Sequence, residues 1–214
     1  MALKFDRCAE HEERYSCEMF LKKLFRPKPV PLGVQPIGGE IYAHVFENST
    51  TGLRRDLYWN ISVDFQPVLL EEEEWDCSLA IDWLTWPIRH WREIGAMGHS
   101  AVHHPHLVEC SLYLVSEHHP TPLRYFELRE SSPRVFELEF SAVADVDDGS
   151  RRRLFDVSGR CNLIFTSIIV VASDLRPEPA STLEARAAVE EFIALDDLKE
   201  PRSEEWRYVF EPLA

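Results

Sequence analysis

The sequence predicts an α+β fold, in which a mostly antiparallel β-sheet (one large sheet or two packed sheets) carries an N-terminal and a C-terminal helix. Apolar and polar residues alternate along residues 57–69, 107–116 and 134–145. A period of two is typical of strands that bury one face and leave the other in water. Residues 6–25 and 181–196 instead repeat their apolar residues at helical spacing.

The two helices are predicted near the ends of the chain. The prolines of Arg26–Pro31 end the first helix, because proline lacks an amide donor and excludes its predecessor from the helical region. Ser181–Glu184 has the form of a capping box, which starts the second helix. Residues 1–29 are therefore interpreted as an N-terminal helix with a Pro-rich connector, and residues 30–214 as a single antiparallel-β-rich domain.

Each alternating segment also predicts which side chains face the core. The inward-facing residues are Leu57, Trp59, Ile61, Val63, Phe65, Pro67 and Leu69, then Val108, Cys110, Leu112 and Leu114, and finally Phe136, Leu138, Phe140, Ala142 and Ala144. Residues 40–46 and 123–130 are shorter strand candidates, and Trp206–Phe210 is a candidate for a last edge strand. The two prolines of His118–Pro122 indicate a turn. The apolar run in Leu154–Ser173 is typical of a central strand covered on both faces.

Residues 75–95 are harder to interpret, because they are apolar enough for either a strand or a buried helix and Pro87 interrupts both. Apolar residues alternate from Cys77 to Trp83. We therefore predict a strand over residues 77–84, with Trp83 on the same face as Cys77.

The cysteines and the N-terminal sequence predict a soluble cytoplasmic protein. Five cysteines (Cys8, Cys17, Cys77, Cys110 and Cys161) form no CxxC pair, which is typical of reduced thiols. The chain meets charged residues within its first four positions and lacks the apolar segment of a secretory signal.

The charge distribution predicts a basic protein partner. Residues 30–150 hold 20 acidic and seven basic side chains, so they account for nearly all of the formal charge of −14. A surface of this sign repels nucleic acid and anionic membranes and attracts basic proteins. We therefore expect neither a nucleic-acid nor a membrane partner.

Tryptophans next to the acidic run indicate where the partner binds. Four of the six tryptophans fall within residues 75–91, directly after four consecutive glutamates. Tryptophan is enriched at interface hot spots, and carboxylates around an aromatic centre suit an Arg/Lys-rich partner. The predicted partner-binding residues are Glu71, Glu72, Glu73, Glu74, Trp75, Asp76, Asp82, Trp86 and Trp91. The alternative for each tryptophan is that it fills the core.

A histidine cluster supports the main alternative, an enzyme. Six of nine histidines are found between residues 99 and 119, and His99, His103 and His104 are the candidate acid/base residues. A strand over residues 107–115 would separate the two halves of the cluster by roughly 30 Å, so no metal site is predicted. No phosphate-binding loop or nucleophile motif is found, and no cofactor is expected.

Three hypotheses follow from the sequence. The first is an acidic protein-binding or inhibitory module, for example an immunity protein that neutralises a basic toxin. The second is an enzyme that uses the histidines around residues 99–106. The third is a structural or assembly component that docks through its N-terminal helix.

Overall fold

The computed structural model describes residues 29–70, 72–100, 108–114, 117–147 and 152–213. Strands hold 61% of these residues and helices 11%. The predicted α+β class is therefore wrong, since the fold is mostly β. The helix predicted at the N-terminus, and with it nearly all of the unit predicted over residues 1–29, lies outside the described residues.

In the described part of the chain, fourteen strands, one α-helix and two 3-10 helices are formed. The strands are β1 Val30–Pro31, β2 Pro36–Asn48, β3 Leu53–Phe65, β4 Val68–Leu70, β5 Glu73–Trp75, β6 Cys77–Leu84, β7 Gly98–Ser100, β8 Glu109–Leu114, β9 Glu117–Pro120, β10 Leu123–Ser132, β11 Val135–Asp147, β12 Arg152–Val171, β13 Arg202–Ser203 and β14 Arg207–Phe210. The α-helix, α1, is Thr182–Glu190, and the 3-10 helices are Trp91–Ala96 and Ala172–Asp174.

Twelve of the strands form one mixed sheet. Its main order is β7-β10-β11-β12-β2-β3-β6-β8-β9, while β1 and β14 also pair with β12, and β13 pairs with β14. Strand β12 runs parallel to both β1 and β2. The predicted mostly antiparallel sheet is therefore wrong at its centre, where the pairing of β12 with β2 is parallel. Alternation along a strand reports which side is buried and not the direction of the neighbouring strand, and parallel pairing is therefore invisible to it.

The core lies on one face of this sheet. The inward-facing residues predicted from alternation on β3, β8 and β11 are buried, except that Val108 precedes its strand and is only partly buried. The prediction is wrong for Pro67 and Leu69, because β3 ends at Phe65 and both residues are exposed. Trp59, Trp91 and Phe165 are among the largest buried side chains. Burial of a large apolar side chain contributes roughly 1.5–3 kcal/mol by removing it from water.

Strand β6 confirms the strand predicted over residues 77–84, but it contains a bulge. Trp59 pairs with Leu84 and Ile61 with Ile81, so Asp82 and Trp83 together lie opposite the single residue Asn60. Buried Asn60 fills this gap, because its side-chain oxygen accepts a hydrogen bond from the Trp83 amide (3.3 Å). Trp83 has a φ of 64°, which bulky residues rarely adopt. The bulge therefore turns Trp83 away from the face that Cys77 occupies.

Strand β9 replaces the turn that we predicted over His118–Pro122. Residues Glu117–Pro120 pair with β8, with Leu112 opposite His119 and Tyr113 opposite His118. Proline is accepted at this edge because the missing amide donor faces no further strand.

Helix α1 begins as predicted and ends earlier. The Ser181 side chain accepts from the Glu184 amide, and the Glu184 carboxylate accepts from the Ala180 amide, which together form the cap. The helix ends at Glu190 rather than near residue 196, because the Ala194 amide donates to the Arg89 carbonyl instead of continuing the helical ladder.

Candidate partner-binding face

The outward side of β2, β3, β6 and β8, opposite the core, combines aromatic and acidic side chains. We call it the polar face. Its members are Glu40, Tyr42, His44, Phe46, Tyr58, Asn60, Ser62, Asp82, Trp83, Glu109, Ser111 and Tyr113. Residues on adjacent strands are held in fixed register, for example Tyr42 opposite Asn60 and Asp82 opposite Glu109.

Three rings form an aromatic centre on this face: Phe46, Tyr58 and Trp83. The Trp83 ring lies 5.1 Å from Phe46 and 5.5 Å from Tyr58, the latter edge to face, and Phe46 and Tyr58 are 6.4 Å apart. Phe46 and Trp83 are only half-buried, whereas Tyr58 is buried. The aromatic centre therefore presents two partly exposed rings on a surface that is otherwise polar.

The bulge in β6 is what brings Trp83 into the aromatic centre. A left-handed backbone conformation costs a bulky residue about 1–2 kcal/mol. Bulges re-aim side chains and are common beside functional sites. The fold thus keeps an unfavourable conformation at the residue that completes the aromatic centre.

Beside the aromatic centre lies a pair of carboxylates, Asp82 and Glu109, on neighbouring strands. Burial, and then the like charge of Glu109, raise the pKa of Asp82 to about 6, against a smaller opposing effect of His118. Within the part of the chain that the structure describes, no lysine or arginine forms an ion pair with either carboxylate. We call Asp82 and Glu109 the acidic pair.

The outward side of β10, β11 and β12 is different, since its carboxylates are neutralised within the chain. Arg160 binds Glu139 (2.5 Å), and Arg129 binds Glu127 (2.8 Å). The Arg160 hydrogen bond is the main reason why the pKa of Glu139 is lowered. The same sheet therefore has one surface with internal counter-ions and another, the polar face, where the acidic pair lacks them.

Further polar groups surround the acidic pair. Burial raises the pKa of Tyr42, and the charges of Asp82 and Glu40 add to this effect. His118 Nε2 and Ser111 Oγ lie 2.6 Å apart on the far side, next to Tyr113. These groups can donate to or accept from a partner.

A polar cleft of about 560 Å³ adjoins the polar face where β14 pairs with β12. Glu40 and Tyr42 line it on one side, and Arg202, Arg207 and Glu211 on the other. The two arginines already bind Glu204, and Arg202 also binds Glu211. The cleft is therefore close to electrically balanced.

The predicted site around residues 71–91 is divided by the structure. Glu73 and Glu74 are exposed and Trp75 is half-buried on the β4–β5 hairpin, with exposed Glu72 at its turn and exposed Asp76 after it. Glu71 lies outside the described residues. Strand β6 then separates this hairpin from Trp86 and Trp91 by roughly 25 Å, so the predicted anchors do not form one surface.

Trp86 and Trp91 pack with core residues. The half-buried Trp86 ring stacks on Trp59 at 5.4 Å, and the Trp91 ring stacks on Phe165 at 5.2 Å. Trp91 is 0% exposed. Of the eight predicted residues that the structure describes, only Asp82 lies on the polar face.

Sequence reasoning missed Trp83, Phe46, Tyr58 and Glu109. Strict alternation assigned Trp83 to the face of Cys77, and no local motif marks the extra residue in β6 because Asn60 lies on another strand. The signal in the sequence was the position of Trp83 directly after Asp82, which puts an aromatic residue next to an acidic one.

The enzyme hypothesis rests largely on residues that the structure does not describe. His103 and His104 lie outside the described residues, and His99 is at β7. Among the described residues, no group of three His, Cys, Asp or Glu side chains could hold a metal ion. Cys77, Cys110 and Cys161 are free thiols whose pKa values are raised, mainly by burial, to about 12, 12 and 11.

No protein-family model, curated protein or solved structure matches this chain. In the described residues, no helix combines the length and apolar character needed to cross a membrane.

Proposed function

We propose that this protein binds a basic protein partner through the polar face, as an inhibitory or immunity-type module would. The observation that carries the proposal is the partly exposed aromatic centre beside an acidic pair that lacks counter-ions within the described chain. A partner that brings Arg or Lys side chains would supply these counter-ions and cover the rings.

The energetics of Asp82 support this proposal. Its raised pKa means that the folded protein disfavours the ionised carboxylate, by about 1–2 kcal/mol after allowance for partial exposure. An asparagine would avoid this penalty. A carboxylate that destabilises the free protein is typical of a functional site, where the charge is used in binding.

The size of the polar face is also suitable. Strands β2, β3, β6, β8 and β9 span about 20 Å across the sheet, and six or seven residues along a strand span about 20 Å more. The resulting area of about 400 Å² is roughly half of what one partner buries in a standard interface. The polar face would therefore be the centre of such an interface, with the surrounding loops at its rim.

The proposal is tested with a ten-residue peptide of alternating lysine and glycine and two double variants. Asp82→Asn/Glu109→Gln and Glu130→Gln/Glu205→Gln each remove two negative charges, and the second pair is exposed and lies outside the polar face. We expect the first variant to lose about tenfold in affinity at low salt and the second about twofold or less. Isothermal titration calorimetry at several salt concentrations measures both.

Equal losses in the two variants would contradict the proposal, because binding would then depend on total charge alone. Circular dichroism and thermal melting of each variant without peptide confirm that both remain folded. A wild-type protein that does not bind the peptide at low salt would also contradict it.

A further inference from the structure

The described part of the chain contains two units in which an arginine lies over a tryptophan and binds a carboxylate. In the first, the Arg92 guanidinium carbon lies 4.5 Å from the centre of the Trp91 ring, and Arg92 Nε donates to Asp197 at 2.7 Å. Asp197 also contacts His90 Nε2 at 2.8 Å. The arginine covers one edge of the core and has its charge neutralised at the same time.

The second unit lies on β14. The Arg207 guanidinium carbon lies 4.8 Å from the centre of the Trp206 ring, and Arg207 Nε donates to Glu204. Trp206 is 57% exposed, so this unit forms at the surface without the support of the core. Stacking on the ring and pairing with the carboxylate are thus combined in two unrelated parts of the fold.

Trp83 and the acidic pair have two of the three components of such a unit. The ring of Trp83 is half-exposed, Asp82 precedes it on the same face, and Glu109 lies opposite Asp82. No described arginine pairs with these carboxylates or stacks on Trp83. We infer that the partner supplies the missing arginine, whose guanidinium group lies over Trp83 and binds the acidic pair; this inference rests on the proposed function.

Arginine suits this position better than lysine. Its planar guanidinium group stacks on an aromatic ring and can donate two parallel hydrogen bonds, which the two carboxylates of Asp82 and Glu109 can accept. The ammonium group of lysine is more strongly hydrated and loses more on leaving water. Cation–π stacking together with a charged hydrogen bond predicts a preference of about tenfold for arginine.

The inference is tested by comparing peptides of alternating arginine and glycine with the lysine–glycine peptide. Their charge and length are equal, so the ratio of their dissociation constants isolates the side chain. The wild-type protein is expected to bind the arginine peptide about tenfold more tightly. In Trp83→Gly the ratio is expected to fall below about twofold, whereas Trp206→Ala, whose ring already carries Arg207, retains it.

Asp82→Asn provides a second variant in which folding is not at risk, since the substitution removes a destabilising charge. It is expected to weaken both peptides and to reduce the arginine preference. A wild-type ratio below about twofold, or a tenfold ratio that persists in Trp83→Gly, would overturn the inference. If the wild-type ratio is close to one while Asp82→Asn/Glu109→Gln still weakens binding of the lysine peptide about tenfold and its control about twofold or less, the proposed function stands and only the arginine inference fails.

Discussion

Burial and the neighbouring charge of Glu109 disfavour the ionised form of Asp82 in the folded protein. Its pKa of about 6 in the folded protein is higher than the ordinary value of 3.8. Between these two values the folded state binds a proton that the unfolded state releases. The contribution of Asp82 to stability is therefore highest below about pH 4, and it falls as the pH rises through about 6.

We expect Asp82→Asn to stabilise the protein at pH 8 by about 1–2 kcal/mol and to have little effect near pH 4.5. Urea unfolding at both pH values measures the difference. Glu139→Gln is the matched control with the opposite sign, because Arg160 lowers the pKa of Glu139. If Asp82→Asn stabilises the protein equally at both pH values, the unfavourable ionisation of the Asp82 carboxylate is not the cause.

The acidic pair also predicts how binding depends on pH. Asp82 loses its charge as the pH falls through about 6, and His118 is close enough to influence it. Affinity for a basic peptide should therefore decrease between pH 7.5 and 5, and the decrease should be smaller in Asp82→Asn. Titrations at three pH values measure this, and an Asp82→Asn profile identical to wild type would contradict it.

At the level of single elements, alternation predicted buried faces correctly and failed where a strand is irregular. Strands β3 and β11 are regular enough that the inward-facing residues predicted within them, from Leu57 to Phe65 and from Phe136 to Ala144, are buried. Strand β6 alternates only as far as Ile81, because the bulge at Asp82 and Trp83 depends on Asn60 of another strand. Long-range contacts of this kind leave no local pattern in a sequence.

The bulge in β6 gives a stability prediction. Trp83→Ala and Trp83→Gly both remove the ring, but glycine accepts the φ of 64° and alanine does not. We expect Trp83→Gly to be about 1 kcal/mol more stable than Trp83→Ala. Glycine is normally less stabilising than alanine within a strand. If urea denaturation shows that Trp83→Ala is the more stable of the two variants, the backbone at this position is not strained.

On the scale of the whole molecule, composition and charge predicted a basic partner, while the order of the strands determines where the proposed binding face lies. The concentration of acidic residues between 30 and 150 was evident from the sequence alone. Which of those carboxylates lack counter-ions depends on strand order, since β12 brings Arg160 to Glu139 but no described basic residue to Asp82. The parallel pairing of β12 with β2 is equally non-local.

The six tryptophans provide the most direct test of the central claim, because each indole NH gives one resonance in a nitrogen–proton NMR spectrum. The resonances are assigned by single Trp→Phe variants, and the labelled protein is titrated with the arginine–glycine peptide. The resonance of Trp83 should shift with the peptide concentration, whereas those of Trp75 and Trp86 should remain unchanged. A shift of Trp75 without a shift of Trp83 would contradict the account and would place binding at the β4–β5 hairpin.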